Sequence, residues 1–327
     1  MNSLLDRLAR TARRLAWRAG RALHGMGLAQ TPHAAHEPAA DEWVDGLFAH
    51  QHRSVAYKLF VPRRNTGQRR PLVLMLHGCN QNPEDFATGT RMNRLAHAHG
   101  FLVLYPAQTR HANAHRCWNW FKPQHQQRDR GEPALLAALT RFVMSEREVD
   151  PARVYVAGLS AGGAMADILG RTHPDLFAAV GVHSGVPAGA ASDLVSALAA
   201  MKAGRAGAGE RPRMPTIVFH GDADKTVHPR NGEHVVAAAL AGQEGASRAG
   251  ESRTQSRNGR SVTRRTYADA HGRATVEHWM LHDGGHAWAG GSPEGSFTDP
   301  AGPDASAEML RFFLAHPRSD RQAANAA

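Results

Sequence analysis

Cysteines, aromatic residues and long apolar runs are all scarce in this chain of 327 residues, and each scarcity excludes something. The two cysteines, Cys79 and Cys117, form no CxxC pair, which argues against a zinc site or a dithiol redox centre. They are either two buried thiols or partners in one bond. Such a bond would contribute about 4 kcal/mol through chain entropy and would imply an oxidising compartment. No stretch approaches the apolar length that crosses a bilayer. The N-terminus lacks the uninterrupted apolar segment of a secretory signal, because arginines recur there every three or four residues. Acidic residues are outnumbered, 29 Asp and Glu against 39 Lys and Arg, for a net charge of +10. That excess is concentrated in two places. Residues 1–30 hold six arginines against Asp6 alone, and residues 241–265 hold six against Glu244 and Glu251. The remaining chain is near neutral, so nucleic acid is not an expected partner.

In residues 1–30, Leu5, Leu8, Ala12, Leu15, Ala19, Leu23 and Met26 share one helical face, with the arginines largely opposite. This is the pattern of a basic amphipathic helix that either lies on an anionic or apolar surface or is a solvated or loosely docked leader. Residues 31–42 read as a linker. From 43 to 315, apolar runs alternate with helical patterns. Pro71–Leu76, Phe101–Tyr105, Val154–Ala157, Ala178–His183 and Thr216–His220 read as strands, and Arg91–His99, Glu132–Glu146, Ala161–Arg171 and Ala305–Ala315 as helices. Residues 241–260 (Gly, Ser, Arg and Gln without apolar period) read as a flexible surface loop, and 316–327 as a disordered tail. Strands alternating with helices imply an α/β fold with a mostly parallel central sheet and helices on both faces.

Within that pattern stands Gly158-Leu159-Ser160-Ala161-Gly162, between a buried strand and an Ala/Gly/Met helix. Strand, tight turn and helix with a serine at the apex make the nucleophile elbow of α/β-hydrolases. A serine nucleophile needs a base, and the base an orienting carboxylate, arriving later in the chain in the order Asp, His. After Thr216–Phe219 comes His220-Gly221-Asp222-Ala223-Asp224, where Asp224 is favoured over Asp222, the latter suited to holding the turn. Among 21 histidines, His286 stands out in the glycine-rich Asp283-Gly284-Gly285-His286-Ala287-Trp288. His282 reads as a strand-end side chain. Two amides are candidates for stabilising an oxyanion: that of Ala161, directly after the serine, and that of Cys79, in His77-Gly78-Cys79 after the first buried strand. His77 itself reads as a possible packing residue. No metal or cofactor is expected.

Leu76-His77-Gly78-Cys79, Arg116-Cys117-Trp118-Asn119-Trp120-Phe121, the segment from Gly158 to Met165 and Gly285-His286-Ala287-Trp288 resemble, in order, the poly(3-hydroxybutyrate) depolymerase family of esterases. That family includes feruloyl and acetylxylan esterase relatives. The resemblance spans residues 54–315. It implies an α/β-hydrolase domain, a Ser160–Asp224–His286 triad, carboxylic-ester hydrolysis and a Cys79–Cys117 disulfide. Short-chain 3-hydroxyalkanoate polymer or oligomers are the expected substrate; feruloyl or acetylxylan-type carbohydrate esters are the alternative, and a non-catalytic granule- or surface-binding protein a third. Trp118, Trp120 and Trp288, with Phe121, flank the site and are candidates for packing against an apolar chain or stacking on a sugar or feruloyl ring, the alternative being that at least two are core aromatics. The chain departs from secreted depolymerases in showing no export signal and no substrate-binding domain after residue 315. The expectation is therefore a cytoplasmic or granule-associated protein rather than a secreted one, although a Cys79–Cys117 bond points the other way, and residues 1–30 are a candidate for facing a polymer granule or an anionic membrane.

Overall fold

Leu72 to Leu76 is apolar at every position, which suits a strand covered on both faces. A computed structural model describes residues 40–63, 68–209, 212–243, 245–256 and 259–318. It contains strands β1 (Glu42–His50), β2 (Arg53–Val61), β3 (Arg70–Leu76), β4 (Leu102–Ala107), β5 (Val149–Leu159), β6 (Ala179–His183), β7 (Thr216–Gly221), β8 (Ser247–Gln255), β9 (Ser261–Ala268) and β10 (Ala274–Leu281). They form one ten-stranded sheet in the order β1-β2-β4-β3-β5-β6-β7-β10-β9-β8. The six strands from β4 to β10 pair in parallel. The strands at either end, β1 with β2 and β9 with β8, are antiparallel to their neighbours.

Side-chain alternation divides the core into two layers. Leu72, Leu74 and Leu76 of β3, with Val154 and Val156 of β5, face one layer, and Val73, Met75, Tyr155 and Ala157 face the other. The helices, in chain order, are α1 (Pro83–Thr90), α2 (Met92–His99), α3 (Gly131–Glu146), α4 (Ala161–Thr172), α5 (Leu194–Ala203), α6 (Arg230–Ala241) and α7 (Ala305–Leu314). α3 to α6 cover the first layer, and α1, α2 and α7 the second. Burying one such Leu or Phe contributes roughly 2 kcal/mol, so the two layers supply the apolar stabilisation of the sheet. Helix starts follow local chemistry. The Asn82 side chain accepts from the Asp85 amide ahead of Pro83, and Asp193 and Ser196 make a reciprocal capping box on α5.

The structure corrects three expectations. Glu42, read as the last linker residue, is the first residue of β1, where it pairs with Val61. Residues 241–260 are not a loop throughout: 247–255 form β8, exposed at every position and, among the described residues, paired only with β9. An edge strand without a buried face has no apolar alternation to betray it, and its charges (Arg248, Glu251 and Arg253) discourage further pairing. The start of the expected tail is docked. His316 is buried, with both ring nitrogens bonded to the carbonyls of Phe312 and Ala274, and the Arg318 amide donates to the Ala152 carbonyl. The expected helix over 1–30 and most of the 31–42 linker lie outside the described residues.

Candidate active site

The elbow forms because β5 runs straight into α4 through one residue. Ser160 has φ 57° and ψ −119°, a region an L-residue occupies only under constraint, at a cost of order 1–3 kcal/mol. The constraint is steric closeness on both sides. A Cβ on Gly162 would overlap the carbonyl oxygen of Leu76 at the end of β3, and one on Gly158 would overlap the Gly162 carbonyl. Only glycines let β3, β5 and α4 converge here. The Ser160 amide is tied to the carbonyl of His183 at the end of β6 (2.9 Å), and the first turn of α4 leaves its leading amides facing outward at the positive end of the helix.

β7 and β10 are parallel neighbours, so the loops leaving them emerge together at the same edge of the sheet as the elbow. Two Asp–His pairs link these loops. Asp222 accepts from His282 Nδ1 (2.8 Å) and from the Asp283 amide (2.7 Å); both side chains are partly solvent-facing, and the pair staples loop to loop. Asp224 and His286 form the inner pair: Asp224 Oδ2 accepts from His286 Nδ1 at 2.7 Å, with the carboxylate fully buried. Asp224 Oδ1 accepts the amides of Thr226 (2.9 Å) and Val227 (2.8 Å). Burial alone would raise the Asp224 carboxyl. Bonds from His220 and His286, the His286 charge and the Val227 amide outweigh it and hold the group well below the usual carboxylate range. Asp224 is therefore an anion that fixes the proton of His286 on Nδ1 and leaves Nε2 as the basic nitrogen.

The Cys79 loop is held from several directions. The Gly78 amide donates to Gln81 Oε1 (2.9 Å), the Asn80 amide to the His115 carbonyl (2.6 Å) and the Gln81 amide to the Gly78 carbonyl (3.3 Å). Among the described residues the Cys79 amide, between them, has no protein acceptor. His77 is buried, and desolvation lowers its ring to about 4, so it is neutral. Its Nε2 accepts the Gln108 amide (3.1 Å), leaving Nδ1–H to donate to the Gly78 carbonyl (2.8 Å). That carbonyl belongs to the same rigid peptide as the Cys79 N–H. Cys79 and Cys117 are disulfide-bonded, with Cα atoms 4.3 Å apart across 38 residues.

An apolar pocket of about 230 Å³ opens beside Ser160, Ala161 and Cys79, walled by Trp120, Phe121, Val186, Leu194, Leu198 and Met201. Two of the three tryptophans expected in this wall are elsewhere. Trp118 is 1% exposed and donates to the His77 carbonyl (3.1 Å). Trp288, also 1% exposed, donates to Ser306 Oγ (3.0 Å) and stacks on His183. Both are core aromatics with satisfied N–H groups, and only Trp120, with Phe121, lines the pocket. Their neighbourhood in sequence to the motifs says nothing of side-chain direction.

Sequence reasoning missed His183. Its carbonyl holds the Ser160 amide, while its Nε2 accepts the amide of Ala289 (3.0 Å), three residues beyond His286. Desolvation, with the charges of His220 and His286, pushes this ring down to about 3, so it serves as a neutral strut. A histidine ending an apolar strand carries no distinguishing signal.

A mostly parallel sheet, an elbow serine at the end of a central strand and an Asp–His pair on later loops define an α/β-hydrolase. The chain belongs to the family described as Esterase PHB depolymerase, whose model matches residues 55–258. That match contains Ser160 and Asp224; His286 lies beyond it. The chain is 35% identical over 181 residues to the poly(3-hydroxyalkanoate) depolymerase C of Paucimonas lemoignei, covering 51% of this chain and 43% of that one. It is 29% identical over 195 residues to the acetylxylan esterase A of Talaromyces purpureogenus, covering 53% and 50%. Matches to these curated relatives thus span about half of their lengths or less. Among solved structures, the acetyl xylan esterase from Aspergillus awamori superposes with TM-score 0.56 at 18% identity, over 80% of this chain and 94% of that one; at that identity the likeness is one of fold.

Proposed function

We propose that this protein is a serine esterase that hydrolyses carboxylic esters through an acyl-enzyme. Ser160 is the nucleophile. His286 Nε2 takes its proton as it attacks the carbonyl carbon, and Asp224 stabilises the imidazolium that forms. The amides of Cys79 and Ala161 receive the charge developing on the carbonyl oxygen. The tetrahedral adduct collapses, His286 gives its proton to the leaving alcohol, and water repeats the cycle to release the acid. The observation that carries this reading is the 2.7 Å bond between buried Asp224 and His286, on loops that leave the same edge of the sheet as the elbow serine. Hydrolysis of p-nitrophenyl butyrate that disappears in Ser160→Ala is the expected result and eliminates a non-catalytic surface-binding role; equal rates in variant and parent would refute the Ser160 nucleophile.

The proposed substrate is a short-chain 3-hydroxyalkanoate polyester or its oligomers. A small apolar pocket suits a short acyl group, and a polyester depolymerase is among the relatives. The alternative, a feruloyl or acetylated carbohydrate ester, draws on the acetylxylan esterase relative and on the aromatic wall of Trp120 and Phe121. Parallel assays on hydroxybutyrate oligomers and methyl ferulate separate the two. The amphipathic pattern of residues 1–30 supports adsorption to a polymer granule or anionic membrane, an idea that fails if deleting them leaves adsorption unchanged.

A further inference from the structure

A buried carboxylate outside the triad gathers the segments that hold the oxyanion loop and the pocket wall. Glu132, near the start of α3, is 3% exposed. Its Oε1 accepts from Gln108 Nε2 (2.6 Å) and Asn119 Nδ2 (2.7 Å), its Oε2 from the Asn119 amide (2.7 Å), and His125 Nδ1 lies 3.3 Å from Oε2. Burial alone would raise this carboxyl, but the groups around it, the two Asn119 donors among them, hold it below its ordinary value, as an anion, while His125 Nδ1 accepts the Glu132 amide (3.2 Å).

Two branches leave this anion. Gln108 also donates to the Cys117 carbonyl (3.2 Å), and its backbone amide is the bond that fixes His77 Nε2 as an acceptor, which leaves Nδ1–H to hold the Gly78–Cys79 peptide. Asn119 sits between core Trp118 and pocket-lining Trp120, and its Oδ1 accepts from Asn113 Nδ2 (3.2 Å); Asn113 Oδ1 in turn accepts the amides of His115 (3.0 Å) and Cys117 (3.4 Å). The His115 carbonyl holds the Asn80 amide, next to Cys79. One branch therefore ends on the peptide that carries the Cys79 N–H, unpaired among the described residues, and the other on the peptide that follows it.

We infer that Glu132 is a positioning residue for the acyl-transfer reaction: through Gln108 and Asn119 it orients the Cys79 amide toward the oxyanion and sets Trp120 in the pocket wall. This rests on the serine-esterase reading of the site. An acid at the start of a helix is ordinarily a solvated capping charge; this one is buried and bonded to the active-site loops.

The test is Glu132→Gln in the full chain, which puts an NH2 group where two oxygens received three N–H donors. Kinetics on p-nitrophenyl butyrate are measured with the melting temperature and a free-thiol count. The expected result is a folded protein with no free thiol, kcat lowered about tenfold or more and KM changed by less than about threefold, since a misdirected oxyanion donor acts in the transition state. A folded variant with kcat within about twofold of the parent, or with a rise in KM accounting for the whole loss, overturns the inference. Should Glu132→Gln not fold, Gln108→Leu cuts one branch alone, with the same selective loss of kcat expected and an unchanged kcat contradicting it. Ser160→Ala in the parent separates the two claims: activity surviving there refutes the esterase reading itself, whatever Glu132 does.

Discussion

Ser160, Asp224 and His286 owe their proposed chemistry to their neighbours more than to their identity. Asp222 and Asp224 are two residues apart and each bonds a histidine, yet only Asp224 is buried and held by two backbone amides. Asp224→Asn keeps the shape and an acceptor for those amides but loses the charge and the tautomer control. Its kcat should fall by about 10³–10⁴-fold, whereas Asp222→Asn should stay within about threefold of the parent. Steady-state kinetics on a soluble ester check both, and similar losses in the two would contradict the assignment. The proposed triad residues were readable in the sequence because each sits in a local turn pattern after a strand. Glu132, Gln108 and His183 were not, since their roles depend on partners brought close by the tertiary fold. Trp118 and Trp288 misled for a related reason: adjacency to a motif does not tell which way a ring points.

At the scale of the element, the elbow tests whether packing or propensity governs a glycine. Gly162 lies in the first turn of α4, and in an unencumbered helix alanine would be favoured by roughly 0.5–1 kcal/mol. Here the added methyl would meet the Leu76 and His77 carbonyl oxygens. Gly162→Ala should therefore destabilise by about 2 kcal/mol or more, while Gly250→Ala in exposed β8, where a Cβ meets nothing within 4 Å, should be within about 0.5 kcal/mol of neutral. Urea denaturation midpoints read the difference, and a stabilised Gly162→Ala would refute the close approach of β3, β5 and α4. The same contrast explains which elements could be read in advance. β3, β5 and β7 are apolar on both faces and announced themselves. β1, solvent-facing along one side, β8, exposed throughout, and α1, only two turns long, gave no comparable period.

Over the whole molecule, stability should depend on acidity through buried neutral histidines. Desolvation lowers His77 and His173 to about 4 and His183 and His278 to about 3, with the charges of Arg128 and Arg141 adding at His173. Unfolded, each binds a proton near pH 6.5. The folded state binds fewer protons, so stability is level above about pH 6.5 and declines as pH falls through that value toward 3. The melting temperature should drop progressively between pH 7 and 4.5; a constant value would contradict the burial of these rings. Reducing the Cys79–Cys117 bond should cost about 4 kcal/mol and lower kcat as well, because it frees the loop carrying the Cys79 amide. Stability lost with kcat unchanged would place that amide outside the reaction.

The most direct test of the account is covalent trapping with diethyl p-nitrophenyl phosphate, followed by peptide mass spectrometry. One diethylphosphoryl group should form on Ser160, in step with loss of esterase activity and far more slowly in Asp224→Asn. Loss of activity with Ser160 unmodified, or labelling as fast in Asp224→Asn as in the parent, would contradict it.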